Sequence, residues 1–240
     1  MKIGLIGYGK MGKAVEAIAL THGHEIVARV TQSNPQDISL LRNADVAVEF
    51  TGPDAVVPNL YKCLEMGVPV VTGSTGWHQH LAEVKQRFIE QKGALLYASN
   101  FSIGVNIFME INGLLASLMN NQPQYNPSIR EIHHTQKLDS PSGTAITLAN
   151  DIVEHLQRKT TWVNSAELQP NQLEIISERL PEVPGTHEIV YDSAADEIRI
   201  IHTAKNRSGF ANGALLAASW LPGKVGVFTM KDLLNKNSFK

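Results

Sequence analysis

A G-x-G-x-x-G, Gly7-Tyr8-Gly9-Lys10-Met11-Gly12, closes a short apolar run (residues 2–7) and opens a helical one (residues 10–22). Few folds accept glycines in that place. The first allows a tight turn, the second lets the backbone approach a pyrophosphate, and the third permits close strand–helix packing. The helix that follows points its unpaired N–H groups at the phosphates. Met11, Val15 and Ile18 share one face of it, which packs on a sheet. The order strand, glycine loop, helix therefore predicts a dinucleotide-binding βαβ unit; without a ligand it is a tight turn.

The next residues keep the same rhythm. Runs 25–30, 45–50, 68–72 and 94–98 read as strands, and 53–65 and 77–91 as helices. Such alternation implies a parallel sheet covered by helices on both faces. The rhythm changes after Asn100. Residues 104–119 read as a helix, 122–127 as a polar break, 128–135 as a strand and 140–156 as a helix. Three strands, 173–177, 186–191 and 197–203, follow close together and are expected to be antiparallel. Residues 209–221 read as a helix and 227–234 as one short final element. The expected fold is α/β: a Rossmann-like dinucleotide-binding domain, residues 1–102 and 209–240, with an α+β substrate and oligomerisation domain, 103–208, inserted.

The chain of 240 residues carries a formal charge of −2, which argues against a nucleic-acid or membrane-surface binder. No stretch approaches the ~20 apolar residues of a membrane helix. Cys63 is the sole cysteine, so an intrachain disulfide and a cysteine metal cluster are both excluded, and a reducing cytoplasm fits. The acidic residue expected about 20 positions after the glycine loop is missing. Thr31 and Gln32 stand there instead. Thr31 can bond a ribose hydroxyl without repelling a 2′-phosphate, and Lys10 can reach such a phosphate, so NADPH is expected to be accepted. Two more loops fall at strand ends where a nicotinamide ribose can lie: Gly73-Ser74-Thr75-Gly76 and Ala98-Ser99-Asn100-Phe101.

The densest chemistry lies in Glu131-Ile132-His133-His134-Thr135-Gln136-Lys137-Leu138-Asp139-Ser140-Pro141-Ser142-Gly143-Thr144-Ala145. Imidazoles move protons near neutral pH, and a neighbouring lysine holds an anion or acts as an acid. A Ser-Gly-Thr segment opening a helix offers backbone N–H groups to a carboxylate. Adjacent histidines on one strand face opposite ways, so only one meets the reacting centre. No third ligand stands at a suitable spacing for a metal, and none is expected. Asp139 is expected to cap the next helix or to pair with Lys137.

These residues resemble the 4-hydroxy-tetrahydrodipicolinate (dihydrodipicolinate) reductase family of the diaminopimelate–lysine pathway. The likeness is carried by His133-His134-x-x-Lys137-x-Asp139-x-Pro141-Ser142-Gly143-Thr144-Ala145. Gly73-Ser74-Thr75-Gly76, Asn100-Phe101-Ser102-Ile103-Gly104-Val105-Asn106 and Phe210-Ala211-Asn212-Gly213-Ala214 support it. The resemblance implies that His133 donates or accepts a proton and that Lys137 is a second donor. It implies that His134, Gly143 and Thr144 contact a small cyclic dicarboxylate. Gly7, Tyr8, Gly9, Lys10 and Met11, with Gly73–Thr75 and Ala98–Phe101, would contact NADPH or NADH; the loop reading adds Gly12 and Thr31. It further implies a cytoplasmic homotetramer.

The chain departs from many members in places. Its glycine loop is one residue shorter, with Lys10 in place of an arginine. Thr31 replaces an acidic residue, and Gly52 stands where some members place a basic one. These positions bear on cofactor preference. Arg179 and His187 fall in a segment like the family's Arg…Gly-x-His and are read as structural. Two other readings fit parts of the pattern: Lys137 as a Schiff-base nucleophile, which needs no dinucleotide, and a non-catalytic nucleotide sensor.

Overall fold

A computed structural model describes residues 1–165, 167–206 and 208–235. Ala166, Arg207 and residues 236–240, which the expected domain boundaries include, lie outside the described residues. The chain divides into two units, Met1–Ile103 with Ser208–Lys240, and Gly104–Arg207.

The first unit begins with β1 (Lys2–Ile6), α1 (Lys10–Thr21) and β2 (Glu25–Val30). It continues through β3 (Val46–Glu49), α2 (Pro53–Glu65), β4 (Val70–Thr72), α3 (Leu81–Glu90) and β5 (Ala94–Tyr97). The chain then leaves by α4 (Ile103–Met119). The second unit adds β6 (Asn126–His133), α5 (Gly143–His155), β7 (Thr161–Val163), β8 (Gln172–Arg179), β9 (Thr186–Asp192) and β10 (Glu197–Thr203). The return to the first unit is by α6 (Ser208–Trp220), β11 (Gly226–Phe228) and α7 (Met230–Asn235).

In the first unit the strands form a parallel sheet in the order β11-β5-β4-β3-β1-β2. The inner strands β1, β3, β4 and β5 are buried on both faces, as parallel strands are, whereas the edge strands β2 and β11 are more open. Ile3, Leu5, Val46, Val48 and Leu96 pack to one side with residues of α1, α6 and α7. Ile6, Ala47, Val70 and Leu95 pack to the other with residues of α2 and α3. Because every strand runs the same way, the loops after β1, β3, β4 and β5 emerge at one edge. Ligands of such sheets bind at that edge, where the strand order reverses.

The second unit has the sheet order β10-β9-β6-β8-β7. Ile129, Leu173, Ile175, Ile189 and Tyr191 pack from it against Phe108, Leu148, Ala149 and Ile152 of α4 and α5.

Several expectations need correction. β8, β9 and β10 alternate in direction as expected, but they are not all neighbours: β6 lies between β8 and β9, parallel to the first and antiparallel to the second. The stretch read as one final element splits into β11, the sixth strand of the parallel sheet, and α7. A long 3-10 segment, Pro35–Asn43, precedes β3, and another, His78–His80, precedes α3. α5 begins at Gly143, not at residue 140, because Ser140 precedes a proline, which disfavours helical backbone there. Among the described residues no helix is long and apolar enough to cross a membrane.

Candidate active site

The glycine loop has the geometry its three glycines require. Gly7 turns at φ 90°, and a Cβ there would fall 2.1 Å from the Phe50 carbonyl oxygen. A Cβ on Gly12 would fall 2.2 Å from the Gly7 carbonyl oxygen, so α1 packs tightly on its own loop. Around Gly9 there is open space to 4 Å, as a backbone that must approach a ligand needs. Gly9 also caps α1 with no side-chain bond to the first N–H groups, which leaves them for an anion.

A cavity of about 800 Å³ opens beside this loop, lined by Gly7, Tyr8, Gly9, Thr31, Ser33 and Lys62, among others. It contains four of the expected nucleotide residues. Lys10 is exposed outside its lining, and Met11 packs on the core. The Thr31 hydroxyl is already engaged by Ser33 (2.8 Å) and Asn34. Arg29, the nearest cation on β2, is paired with Glu16 (Nε–Oε1 2.9 Å), which also accepts from the Tyr8 hydroxyl. That leaves Lys62 of α2, missed by the sequence reading, as the cation lining the cavity. Its place at i+7 from Ala55 on the cavity-facing side of α2 was the available signal.

The other two loops sit at the same sheet edge. Buried Glu49, at the end of β3, accepts from Thr72 Oγ1 (2.5 Å), Ser74 Oγ (3.1 Å), and the amide (3.0 Å) and hydroxyl of Thr51. It thereby ties the loop after β3 to Gly73-Ser74-Thr75. A Cβ on Gly73 would fall 2.0 Å from the Phe50 ring. In Ala98-Ser99-Asn100-Phe101, Phe101 is core, packed edge-on against Phe50 at 5.8 Å, and Asn100 Oδ1 accepts from the Ser102 amide at 2.9 Å.

In the second unit, strand alternation puts Ile129, Glu131 and His133 on the buried face of β6. In register, His133 stands opposite Arg179 on β8, and Glu131 opposite His187 on β9. Glu131 is fully buried. It accepts from His133 Nδ1 on one oxygen, and from Arg179 Nη1 (2.9 Å) and the Ser142 amide (3.3 Å) on the other. Burial pushes its carboxyl up, but the bonds from His133 and Arg179 outweigh burial and bring it down to about 2. It stays ionised. The His187 ring lies edge-on 5.1 Å from that of His133, and its Nε2 is 3.1 Å from Ser142 Oγ. Burial first, then His133, pushes His187 down to about 4, so it is neutral near pH 7. Gly185 leaves room for the His133 ring: a Cβ there would fall 3.0 Å from its Nε2.

Beyond β6, Lys137 Nζ donates to both oxygens of Asp139 (2.7 and 2.8 Å). The bond from Lys137 is the main cause that lowers the Asp139 carboxyl, with the Gly143 N–H adding a smaller part. Of the two expected uses for Asp139, pairing is the one found; Ser142 caps α5, its Oγ accepting from the Ala145 amide at 3.2 Å. Gly143 is exposed with open space where a Cβ would be, and Thr144 follows it in the first turn. His134 is half-buried, and its Nδ1 is buried with no hydrogen-bond partner among the described residues.

Glu131, His133 and His187 bring three potential ligand atoms within 4.8 Å of one another, partners that sequence spacing did not reveal. The Arg179 guanidinium already supplies positive charge to Glu131 through its other oxygen. The arrangement suits proton handling better than ion binding.

A parallel sheet with its glycine loop, joined to a unit bearing a carboxylate-held histidine, has the make-up of an NAD(P)H-dependent oxidoreductase. Residues 1–101 match the family model described as dihydrodipicolinate reductase, N-terminus, and residues 104–234 match its C-terminus counterpart. The chain belongs to the dihydrodipicolinate reductase family. It is 43% identical over 235 residues to the 4-hydroxy-tetrahydrodipicolinate reductase of Christiangramia forsetii, covering 98% of each protein. It is 31% identical to that of Neisseria meningitidis, over 93% of this chain and 85% of the relative. Its fold is similar to a dipicolinate-bound dihydrodipicolinate reductase from Paenisporosarcina sp. (TM-score 0.79, 23% identity, 95% and 97% of the two chains).

Proposed function

We propose that the chain reduces 4-hydroxy-tetrahydrodipicolinate, by way of dihydrodipicolinate, to tetrahydrodipicolinate in lysine and diaminopimelate biosynthesis. It does so with NADPH or NADH. The relatives' names and the family supply the reaction; the residues supply its parts. Residues 1–102 and 209–240 hold the dinucleotide, and 103–208 the substrate.

The substrate is a cyclic imine with two carboxylates. When bound, the reduced dinucleotide supplies a hydride to a carbon conjugated to the imine. Electron density then moves toward the ring nitrogen and its neighbouring carbon, and a proton must arrive there. His133 delivers it, as an imidazole can near neutral pH. Lys137 exchanges Asp139 for a substrate carboxylate and steadies the developing charge. An accessible ion pair contributes little, so the exchange costs little. The Gly143 and Thr144 amides, at the start of α5, take a carboxylate, and half-buried His134 contacts the same ligand. The observation that carries this reading is the His133 ring itself, buried and bonded to an ionised carboxylate beside the α5 N-terminus.

Gly7, Tyr8, Gly9 and Thr31 take the adenosine and pyrophosphate end in the cavity, and Lys62 replaces Lys10 as the group that meets a 2′-phosphate. Gly73-Ser74-Thr75 and the segment 98–101, on the same sheet edge, face the nicotinamide end. The enzyme works in the cytoplasm as a homotetramer. Exposed Ile176 and Ile201 on the second sheet support assembly there, and light scattering on the purified chain measures it.

The decisive experiment couples the enzyme to the upstream synthase and follows NADPH and NADH oxidation in parallel. His133→Ala and Lys137→Ala each lower kcat by ~10²–10⁴, with NADPH dissociation nearly unchanged. Near-full turnover in both variants sinks the assignment of roles.

A further inference from the structure

We propose that Glu131, braced by Arg179, is the positioning residue of the proton-transfer step: it sets the tautomer and the orientation of His133. The proposal rests on the reading of His133 as the proton donor and deepens it.

The division of hydrogen bonds on Glu131 makes the case. Arg179 Nη1 and the Ser142 amide share Oε1, and the other oxygen goes to His133 Nδ1. A buried carboxylate needs partners, but Arg179 and Ser142 already supply them. An ionised carboxylate only accepts, so the Nδ1 facing it carries the hydrogen. The neutral ring then has its lone pair on Nε2, and the charged ring presents an Nε2–H. The transferable proton is thus confined to one nitrogen. Gly185 lies against that nitrogen with no side chain to displace the ring.

Arg179 is fixed as well. Its Nη1 also donates to the Glu178 carbonyl (2.7 Å), and its Nη2 to the Asp139 carbonyl (2.5 Å). The guanidinium therefore spans β8 and the loop that carries Lys137, with Glu131 between them. This links the proton donor and the carboxylate-binding lysine through one planar, always-charged group.

The charged and titratable groups that face His133 are Glu131 on its own strand, Arg179 on β8, and His187 on β9 with His202 beside it on β10; Lys137 lies in the following loop. His187 is neutral near pH 7 and Glu131 remains ionised, so Glu131 takes no proton in the step. The balance is simple. The substrate gains a hydride at one atom and the Nε2 proton at another, and the dinucleotide is oxidised. His133 ends neutral with Nδ1–H still on Glu131, and is reprotonated from solvent. This is the role of the aspartate in a Ser-His-Asp triad, orienting and charge-matching without receiving the proton.

The test compares Glu131→Gln, Glu131→Asp and His133→Gln in the full-length enzyme, with folding checked by circular dichroism. The amide of Gln can donate to Nδ1 and so permits the wrong tautomer. Glu131→Gln is expected to lower kcat about 10²-fold or more, with KM and NADPH affinity changed less than about threefold. The alkaline limb of its kcat profile moves to lower pH, and Glu131→Asp recovers part of both. Inactive His133→Gln beside a Glu131→Gln of wild-type kcat and profile overturns the positioning role alone. Activity in His133→Gln overturns the proton-donor reading and this proposal with it. A Glu131→Gln loss with an unmoved profile and no recovery in Glu131→Asp overturns it too, as a purely structural effect. Should Glu131→Gln fail to fold, Arg179→Lys decides. It keeps the charge but loses the fork, and must lower kcat and move the profile the same way; an unchanged profile overturns the proposal.

Discussion

At the scale of single residues, the second unit gathers groups that react to acid in the same direction. Glu131 falls from an ordinary 4.5 to about 2 in the fold, so its stabilisation is present above 4.5 and is lost as pH falls toward 2. His187 falls from 6.5 to about 4, so the neutral buried ring stabilises the fold above 6.5, and that contribution is lost as pH falls toward 4. Urea midpoints should therefore drop from pH 6.5 downward, in an upper leg set by His187 and a lower one set by Glu131. His187→Gln should flatten the upper leg and leave the lower. His24 and His202, also lowered by burial, keep part of the upper slope. An upper leg unchanged in His187→Gln would show that other groups set it. His133 and Lys137 were legible as chemistry from their residue types. Glu131 was legible too, since two residues along a strand share a face, but its carboxylate was passed over in favour of the histidine pair. Arg179 and His187 were not legible as site residues. Only the register of β8 and β9 on β6 brings them within reach, and register is a long-range property.

At the scale of elements, two glycines three residues apart do different work. Gly12 is needed for packing: its methyl would meet the Gly7 carbonyl, and Gly12→Ala should cost ~1–3 kcal/mol by overpacking, read as a lower urea midpoint. Gly9 faces open space, so Gly9→Ala should leave stability within ~0.5 kcal/mol. It should nevertheless weaken NADPH about tenfold or more, because a methyl stands where backbone must approach the pyrophosphate. Equal stability losses in the two variants would refute this division. The same local physics explains which elements could be read in advance. β1 to β5 are apolar runs bounded by glycine, proline or polar turns, and α2 starts with Pro53. β7 and β11 are three residues each, with no period to detect. Only their pairing with β8 and β5 makes them strands. Pro35–Asn43 lacks the regular apolar spacing of an α-helix and folds as 3-10 turns, with Leu41 buried in the sheet's second core.

At the scale of the whole molecule, the two halves of the chemistry are built on separate cores. The glycine loop, the Glu49 tether and the cavity draw only on the first unit, and the Glu131–His133 group only on the second. A lesion in one set of contacts should then spare binding at the other while abolishing the joint reaction. Hydride transfer still requires donor and acceptor to come within ~3–3.5 Å. Gly9→Ala should accordingly bind dipicolinate, the planar dicarboxylate analogue, within about twofold of wild type. His133→Ala should bind NADPH within the same margin, and calorimetric titration of each variant with each ligand reads all four combinations. Turnover should fall in both. If Gly9→Ala also lost dipicolinate, the nucleotide loop would be supporting the substrate residues through the fold itself. The two units would then be one cooperative binding structure, not two partners joined by their chemistry.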